Sequence, residues 1–162
     1  MKGHGRGRGM TEHLEMAISD EASLLAATDW LHDGVFRPED ARYDADACTF
    51  TLTIWREVPG RTVPTRVPLV RRHVDTWRRC CLTLKRVETA ALSVSDPAVP
   101  LIFIELKYNS QTREAVVVEC LEAMSISFRL AAIEGSLVDT GEIASDDDVG
   151  MHVARWPFAW PS

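Results

Sequence analysis

Two histidine–aspartate pairs in this sequence have residue types that could bind a metal ion. His32 and Asp33 are adjacent in the chain. His73 and Asp75 are two residues apart, so on a strand their side chains would share one face. Catalytic metal ions accept imidazole nitrogen and carboxylate oxygen as ligands. A metal-dependent hydrolase is therefore one hypothesis, although nothing in the sequence brings the pairs together. Its ligands would be His32, Asp33, His73 and Asp75.

The simpler interpretation of His32 and Asp33 is structural. HD-type metal phosphohydrolases carry a similar doublet, but they are all-helical and need a further His and Asp on other helices. Here a helix-like run ends at the doublet, and Gly34 follows. Asp33 can accept hydrogen bonds from backbone N–H groups in a turn, and His32 can meet the exposed carbonyls of a helix end. We therefore predict a corner between a helix and a sheet.

The other residues with reactive side chains give no catalytic pattern. No GxSxG, HExxH or glycine-rich phosphate loop occurs. The cysteines match no zinc spacing, and the adjacent pair would point to opposite faces of a strand. The four cysteines are Cys48, Cys80, Cys81 and Cys120. The sequence predicts reduced structural thiols, no catalytic residue and no cofactor.

Charge is distributed unevenly along the chain. The segment from Arg56 to Arg86 holds nine basic and two acidic residues, a local charge of +7 in a chain of net charge −6. Such a surface can steer charged partners. The arginines could pair with carboxylates of the same fold or of a second subunit, or they could bind an acidic protein. With Trp55 and Trp77 they could also bind nucleic acid, which the acidic net charge disfavours.

The two ends of the chain differ in composition. Residues 1–10 are glycine-rich and basic, and we predict a disordered leader. Near the other end, "RWPFAWPS" spaces three aromatic residues with prolines that forbid a regular helix or an inner strand. Burying each aromatic is worth about 1.5–3 kcal/mol, so we predict a strap that covers the sheet. An exposed hook for a partner or a second protomer is the alternative. The predicted partner-binding residues are Arg71, Arg72, Trp77, Arg78, Arg79, Trp156, Phe158 and Trp160.

One helix is predicted before the strands begin. Residues 19–34 place leucines at helical spacing, with Ser19 or Asp20 as the N-cap and Gly34 as the stop. The preceding "TEHLEMAI" is a weak candidate for one or two further helical turns.

From residue 35 onwards the hydrophobic period changes to two. "CTFTLTIWREV" turns Phe50, Leu52 and Ile54 to one face and threonines to the other, as a half-buried strand does. The short acidic link "YDADAC" predicts a hairpin into this strand, and "NSQT" predicts a second hairpin. Residues 59–68, with three prolines and a glycine, predict a loop.

These elements predict one α+β domain over residues 11–162. Its N-terminal helix would be followed by a mostly antiparallel sheet or sandwich of about seven or eight strands. A doubly wound α/β fold is excluded because no helices alternate with the strands.

The chain also resembles a set of small bacterial proteins of unknown or immunity function, including the YxiG-like and Imm50-like families of polymorphic toxin systems. The resemblance is one of residue types and spacings over roughly residues 28–138. The segments that carry it are "WLHDG", "ARYDADACTFTLTIW", "CCLTLKRVETAALSV" and "AVVVECLEAMSISFRLAAIEGSLV". It implies a compact, mostly-β domain without an established enzymatic activity. The Pro- and Arg-rich insertion at residues 56–79 and the Trp-rich tail depart from the family pattern.

Together these observations predict a non-enzymatic protein-interaction domain. Its specific form, which the resemblance implies, would be an immunity-like inhibitor that binds a toxin. A protein partner with an acidic surface is expected, and a homodimer is compatible with the sequence. No secretory signal and no apolar run of about 20 residues are present, so we expect a cytoplasmic protein that does not insert into membranes.

Overall fold

A computed structural model describes residues 13–64 and 71–145, with the backbone alone at residues 59–64, 71–75 and 145. These ranges contain one α-helix, ten β-strands and a short 3-10 turn at Pro38–Asp40. The elements are β1 (Glu15–Ile18), α1 (Glu21–Leu31), β2 (Val35–Phe36), β3 (Ala41–Asp44), β4 (Thr49–Pro64), β5 (Arg71–Leu84), β6 (Val87–Val94), β7 (Leu101–Asn109), β8 (Glu114–Glu119), β9 (Met124–Leu130) and β10 (Gly135–Ser145). No helix in the described ranges is long and apolar enough to cross a membrane.

The strands form one sheet in the order β1-β10-β5-β4-β2-β7-β8-β9-β6, and β3 pairs beside β4. All described pairings are antiparallel. The sheet folds back on itself. β4 and β9 are not neighbours in the strand order, yet the rings of Phe50 on β4 and Phe128 on β9 stack with their centroids 4.8 Å apart. The hydrophobic core therefore lies between the two halves of the sheet, and the buried face of α1 joins it.

The helix begins where the sequence indicates. Asp20 is the N-cap: its Oδ1 accepts a hydrogen bond from the backbone N–H of Ser23 at 2.8 Å. Leu24 and Leu31 are buried, as their helical spacing predicts, and Ala27 is buried with them, whereas Leu25 is 47% exposed.

Two predictions about the region around the helix are wrong. The helix is not the N-terminal element, because β1 precedes it, and part of the weakly helical stretch at residues 11–18 is this strand. β1 pairs with β10, where Glu15 lies opposite Val138, so tertiary pairing outweighs the weak local pattern. Gly34 also does not end the helix itself. The helix ends at Leu31 and its C-cap is His32, whose ψ of 135° is extended; Asp33 follows with a left-handed φ of 63°.

Strand alternation predicts the buried faces well. Phe50, Leu52 and Ile54 are fully buried on β4. Both hairpins are confirmed: β3 pairs with β4, and β7 pairs with β8 around "NSQT". β9 buries alternate residues from Met124 to Leu130.

The predicted loop at residues 59–68 is wrong for residues 59–64, which belong to β4. β4 continues to Pro64 and β5 begins at Arg71, while residues 65–70 lie outside the description. The register shifts between Val58 and Arg61, so Pro59 sits in a β-bulge, where a missing N–H is tolerated. The described strands number ten rather than seven or eight, because β1 and the two-residue β2 have no sequence signal of their own.

Candidate binding groove

His32 and Asp33 form a corner that attaches the end of α1 to β7. The Nδ1 atom of His32 lies 2.8 Å from the backbone oxygen of Ile104. Because a carbonyl only accepts, Nδ1 carries the proton in this contact. The backbone N–H of Asp33 donates to the carbonyl of Phe103 at 2.9 Å. Both side chains are largely exposed, at 54% and 71%, so the contacts that fix the corner are to β7 backbone.

The same corner was the core of the metal hypothesis. Its Nε2 and Oδ1 atoms are 3.8 Å apart, and the described residues contain no group of three or more His, Cys, Asp or Glu that could hold a metal ion. The strand register shows how far the corner lies from His73. Val35, beside the corner, pairs with Trp55, and Trp55 pairs with Arg79 on β5. His73 lies six residues from Arg79 along the same strand. That spacing is about 20 Å along a strand. The side chains of His73 and Asp75 lie outside the description, so their ligand role stays a prediction.

The first arginine of the basic segment points into the core. Arg56 donates from Nε to Asp139 Oδ1 at 3.0 Å and from Nη2 to Oδ2 at 2.7 Å. Both side chains are only 1% exposed. The guanidinium also lies over the ring of Trp30, with its carbon 5.4 Å from the centroid. This is a buried, bidentate ion pair with a cation–π contact.

Asp139 on β10 connects β4, β5 and the residue that precedes β1. Its carboxylate accepts from the backbone N–H of Leu14 at 2.9 Å, its own N–H donates to the carbonyl of Leu14 at 2.8 Å, and Arg78 Nη1 is 3.8 Å away. Burial alone would raise the pKa of Asp139, but the hydrogen bonds from Arg56 and Leu14 and the charge of Arg78 lower it below its ordinary value. The pair therefore fixes β10 between β1 and β5.

The other described side chains of the basic segment are also paired within the chain. Arg79 Nη1 donates to Glu142 at 2.9 Å, while Lys85 and Arg86 approach Glu134 at 3.8 and 3.0 Å. Intramolecular pairing is thus confirmed for the basic residues whose side chains are described. The side chains of Arg61, Arg66, Arg71 and Arg72 lie outside the description.

A groove of about 280 Å³ lies on the outer face of β3, β4 and β5. Its floor is formed by the outward threonines of β4, one wall by β3, which pairs beside them, and one end by the 3-10 turn at Pro38–Asp40. The lining residues are Glu39, Asp40, Arg42, Thr51, Thr53, Arg79 and Cys81. None of these except Arg79 was predicted from the sequence as a site residue, because the groove joins segments that no local pattern relates.

Arg79 occupies one wall of the groove and is already engaged. It bonds to Glu142, its Nη2 lies 3.6 Å from Asp40, and it stands over the ring of Trp55 at 5.9 Å. The hydrogen bond to Glu142 raises the pKa of its guanidinium, so it stays charged. Burial raises the pKa of Asp40, which the backbone N–H of Arg37 and the charge of Arg79 oppose.

Arg42 is different, because no carboxylate pairs with it in the described part of the chain. Its Nε donates to the backbone oxygen of Glu39 at 3.1 Å, and its guanidinium is exposed at the rim. The Thr51 and Thr53 hydroxyls, also in the lining, have no hydrogen-bond partner among the described residues. The groove thus offers charged and neutral donors that are free to bind a ligand.

The cysteines divide by burial. Cys80 is fully buried, and burial raises the pKa of its thiol to about 12, which leaves no thiolate for nucleophilic attack. Cys81 points to the other face and lines the groove. Cys48 and Cys120 are exposed.

No family model, curated protein or solved structure matches this chain. The predicted partner-binding residues are distributed as follows. Trp77 and Arg78 are partly buried on β5, and Arg79 lines the groove. Trp156, Phe158 and Trp160 lie outside the described residues, so the strap remains a prediction.

Proposed function

We propose that the chain is a non-enzymatic protein-interaction domain that binds an acidic side chain of a protein partner in the outer groove. The observation that carries this proposal is Arg42, an exposed guanidinium at the groove rim that no carboxylate of the described chain neutralises. A guanidinium and a carboxylate form a charge-assisted, often bidentate pair.

The size and charge of the groove support a single side chain as the ligand. A volume of about 280 Å³ is at the small end of ligand sites, too small for a large cofactor. In the lining, Glu39 approaches Arg37 and Asp40 approaches Arg79, so the groove has no net excess of positive charge although Arg42 itself has no carboxylate partner among the described residues. That balance disfavours a nucleic-acid backbone, whose binding depends on an excess of positive charge.

The biological role we propose is that of an immunity-like inhibitor, and it rests on the resemblance of residue types over residues 28–138. In such a system the partner would be a toxin. Co-expression of the chain with the product of the adjacent reading frame should then restore the growth of a host that this product arrests. A neighbouring product with no toxicity would contradict this role and leave the groove proposal to be tested with other partners.

Charge reversal at the rim tests the groove. Arg42→Glu should weaken partner binding at least about tenfold, because a charge-assisted hydrogen bond is worth about 1.5–3 kcal/mol. Lys107→Glu makes the same charge change at an exposed residue of β7 and is the matched control. Calorimetric titration of both variants gives the comparison. Equal affinity of Arg42→Glu and the parent chain would show that the partner binds elsewhere.

A further inference from the structure

The last strand in the sheet order, β6, presents an open edge. β6 pairs with β9, and within the described ranges no other strand pairs with it. The amide of Ser95 donates to the carbonyl of Ala123 at 2.8 Å. This bond shows which residues of β6 direct their backbone groups towards β9 and which direct them outwards. Because backbone groups alternate along an antiparallel strand, Ala90, Leu92 and Val94 direct their N–H and C=O groups away from β9. The described residues offer these groups no hydrogen-bond partner.

The composition of this edge does not protect it. Residues 89–95 contain no charge and no proline, although edge strands are commonly blocked by lysine, proline or a bulge. The register shift of β6 lies before this stretch, between Val87 and Thr89. Thr89, Ala91 and Ser93 are exposed and small, while Ala90 and Leu92 pack against the core. Residues 89–93 therefore present no charge and no bulky side chain to a second strand. The start of the edge is occupied by the chain itself, because Val87 N–H donates to the Cys48 carbonyl and the Tyr43 hydroxyl donates to the Glu88 carbonyl, so a second strand can pair only from Thr89 onwards.

We propose that two copies of this chain pair antiparallel through β6, about a two-fold axis at Ala91. In this register Ala90 of one copy lies opposite Leu92 of the other, and the outward backbone groups of both residues form hydrogen bonds. Thr89 lies opposite Ser93, a cross-strand hydroxyl pair of the kind that stabilises sheets. Ala91 lies opposite its own copy. The sheet then continues from one copy into the other, with both cores on the same side.

Charge matching favours a second copy as the occupant. Glu88 is the one charged residue within β6, and its carboxylate is held by Arg113 at 3.6 Å and Arg129 at 3.4 Å in its own sheet. Asp96 follows the stretch, five residues from the axis. No like charges therefore face each other across the axis. The interface is an isologous one, in which the same patch serves both subunits. It uses neither the groove nor Arg42, so it stands independently of the proposed function.

Molar mass in solution tests the dimer. Light scattering after size exclusion at tens of micromolar should give twice the 18.1 kDa of the chain. Ala91→Lys places two ammonium groups opposite each other at the axis and should yield a monomer that remains folded, as far-UV circular dichroism would show. Ser125→Lys adds the same charge on β9, one strand inside the edge, and should remain dimeric. A monomeric parent chain, or a dimer that persists in Ala91→Lys, would overturn the proposal.

A disulfide tests the register. Opposed residues at a non-hydrogen-bonded pair have Cα atoms about 4.5 Å apart, within the range of a disulfide. With Cys48 and Cys120 replaced by serine, Ala91→Cys should form a covalent dimer under mild oxidation. Ser93→Cys, which faces Thr89 rather than its own copy, should not. Equal cross-linking of both variants, or none in Ala91→Cys, would contradict this arrangement.

Discussion

Asp33 adopts a backbone conformation that costs a non-glycine residue energy, and it does so at the corner between α1 and β7. Its φ is 63°, and its neighbour His32 contacts the backbone oxygen of Ile104. Gly34, the next residue, is required for space, because a Cβ there would lie 2.8 Å from Ile54 Cδ1 and from the Leu31 carbonyl oxygen. The corner therefore depends on contacts that hold three consecutive residues in place.

Substitutions at the corner should change stability and leave metal content unaffected. We expect Asp33→Gly to raise the free energy of unfolding by about 0.5–1 kcal/mol by removing left-handed strain. Asp33→Ala, which keeps the strain, and His32→Ala, which loses the contact to Ile104, should each lower it by about 1 kcal/mol. Urea unfolding measures these changes. Stoichiometric metal in the native protein, lost in both alanine variants, would instead support the hydrolase hypothesis.

The buried pair of Arg56 and Asp139 should be intolerant of losing one partner. Asp139→Asn leaves a buried guanidinium without its counter-charge and should cost about 3–5 kcal/mol. The double replacement Arg56→Met with Asp139→Leu should recover most of that loss, because two apolar side chains need no compensation. Denaturant midpoints of the single and double variants decide the matter. If the double variant is no more stable than Asp139→Asn, the pair contributes more than charge compensation.

The same pair should make stability depend on acid. The folded pKa of Asp139 lies below its ordinary value of 3.8, so its ionised form contributes stability above about pH 4. That contribution is lost as the pH falls through the folded pKa. The parent chain should therefore lose stability more steeply than Asp139→Asn below about pH 4. Parallel pH dependences of the two proteins would contradict this assignment.

Close packing between strands gives a prediction at the scale of elements. β10 passes so near β5 at Gly135 that a Cβ there would collide with the backbone oxygen of Thr83. Gly135→Ala should destabilise the protein by several kcal/mol, since backbone cannot move aside. Gly141→Ala is the control. It meets open space, and only its positive φ of 89° costs about 1 kcal/mol. Similar thermal shifts in the two variants would disprove the close contact.

The sequence predicted the elements whose hydrophobic spacing matches the face that they bury. Asp20 and the leucine spacing gave α1, and strict alternation gave β9. β1 was missed because its strand conformation comes from pairing with β10, more than a hundred residues away. A corner at His32 and Asp33 was predicted from the sequence, but its contacts were not: His32 and the Asp33 backbone bind β7 rather than the helix end. The groove was not, because Arg42 and Thr53 meet only after β3 folds onto β4.

The whole molecule has a net charge of −6, and the described basic side chains of residues 56–86 are paired with carboxylates. Within the described side chains, Arg56, Arg79 and Arg86 each pair with a carboxylate. We expect no micromolar binding to generic DNA or RNA at physiological salt, because the net charge is negative and the described arginines of the segment already pair with carboxylates. Gel shifts at several salt concentrations measure this. A salt-sensitive shift that is abolished by replacing Arg71, Arg72, Arg78 and Arg79 with alanine would establish nucleic-acid binding.

The position of β10 also governs how the chain can fold. β10 lies between β1 and β5, so β1 can pair only after β10 has been synthesised; Glu15 of β1 pairs with Val138 of β10. Such non-local closure slows folding, and sheets of this kind fold in milliseconds to seconds. During synthesis the hairpin of β4 and β5 can form early, which leaves the edge of β5 open until β10 leaves the ribosome. That interval is when the nascent chain is most exposed to aggregation and most dependent on chaperones.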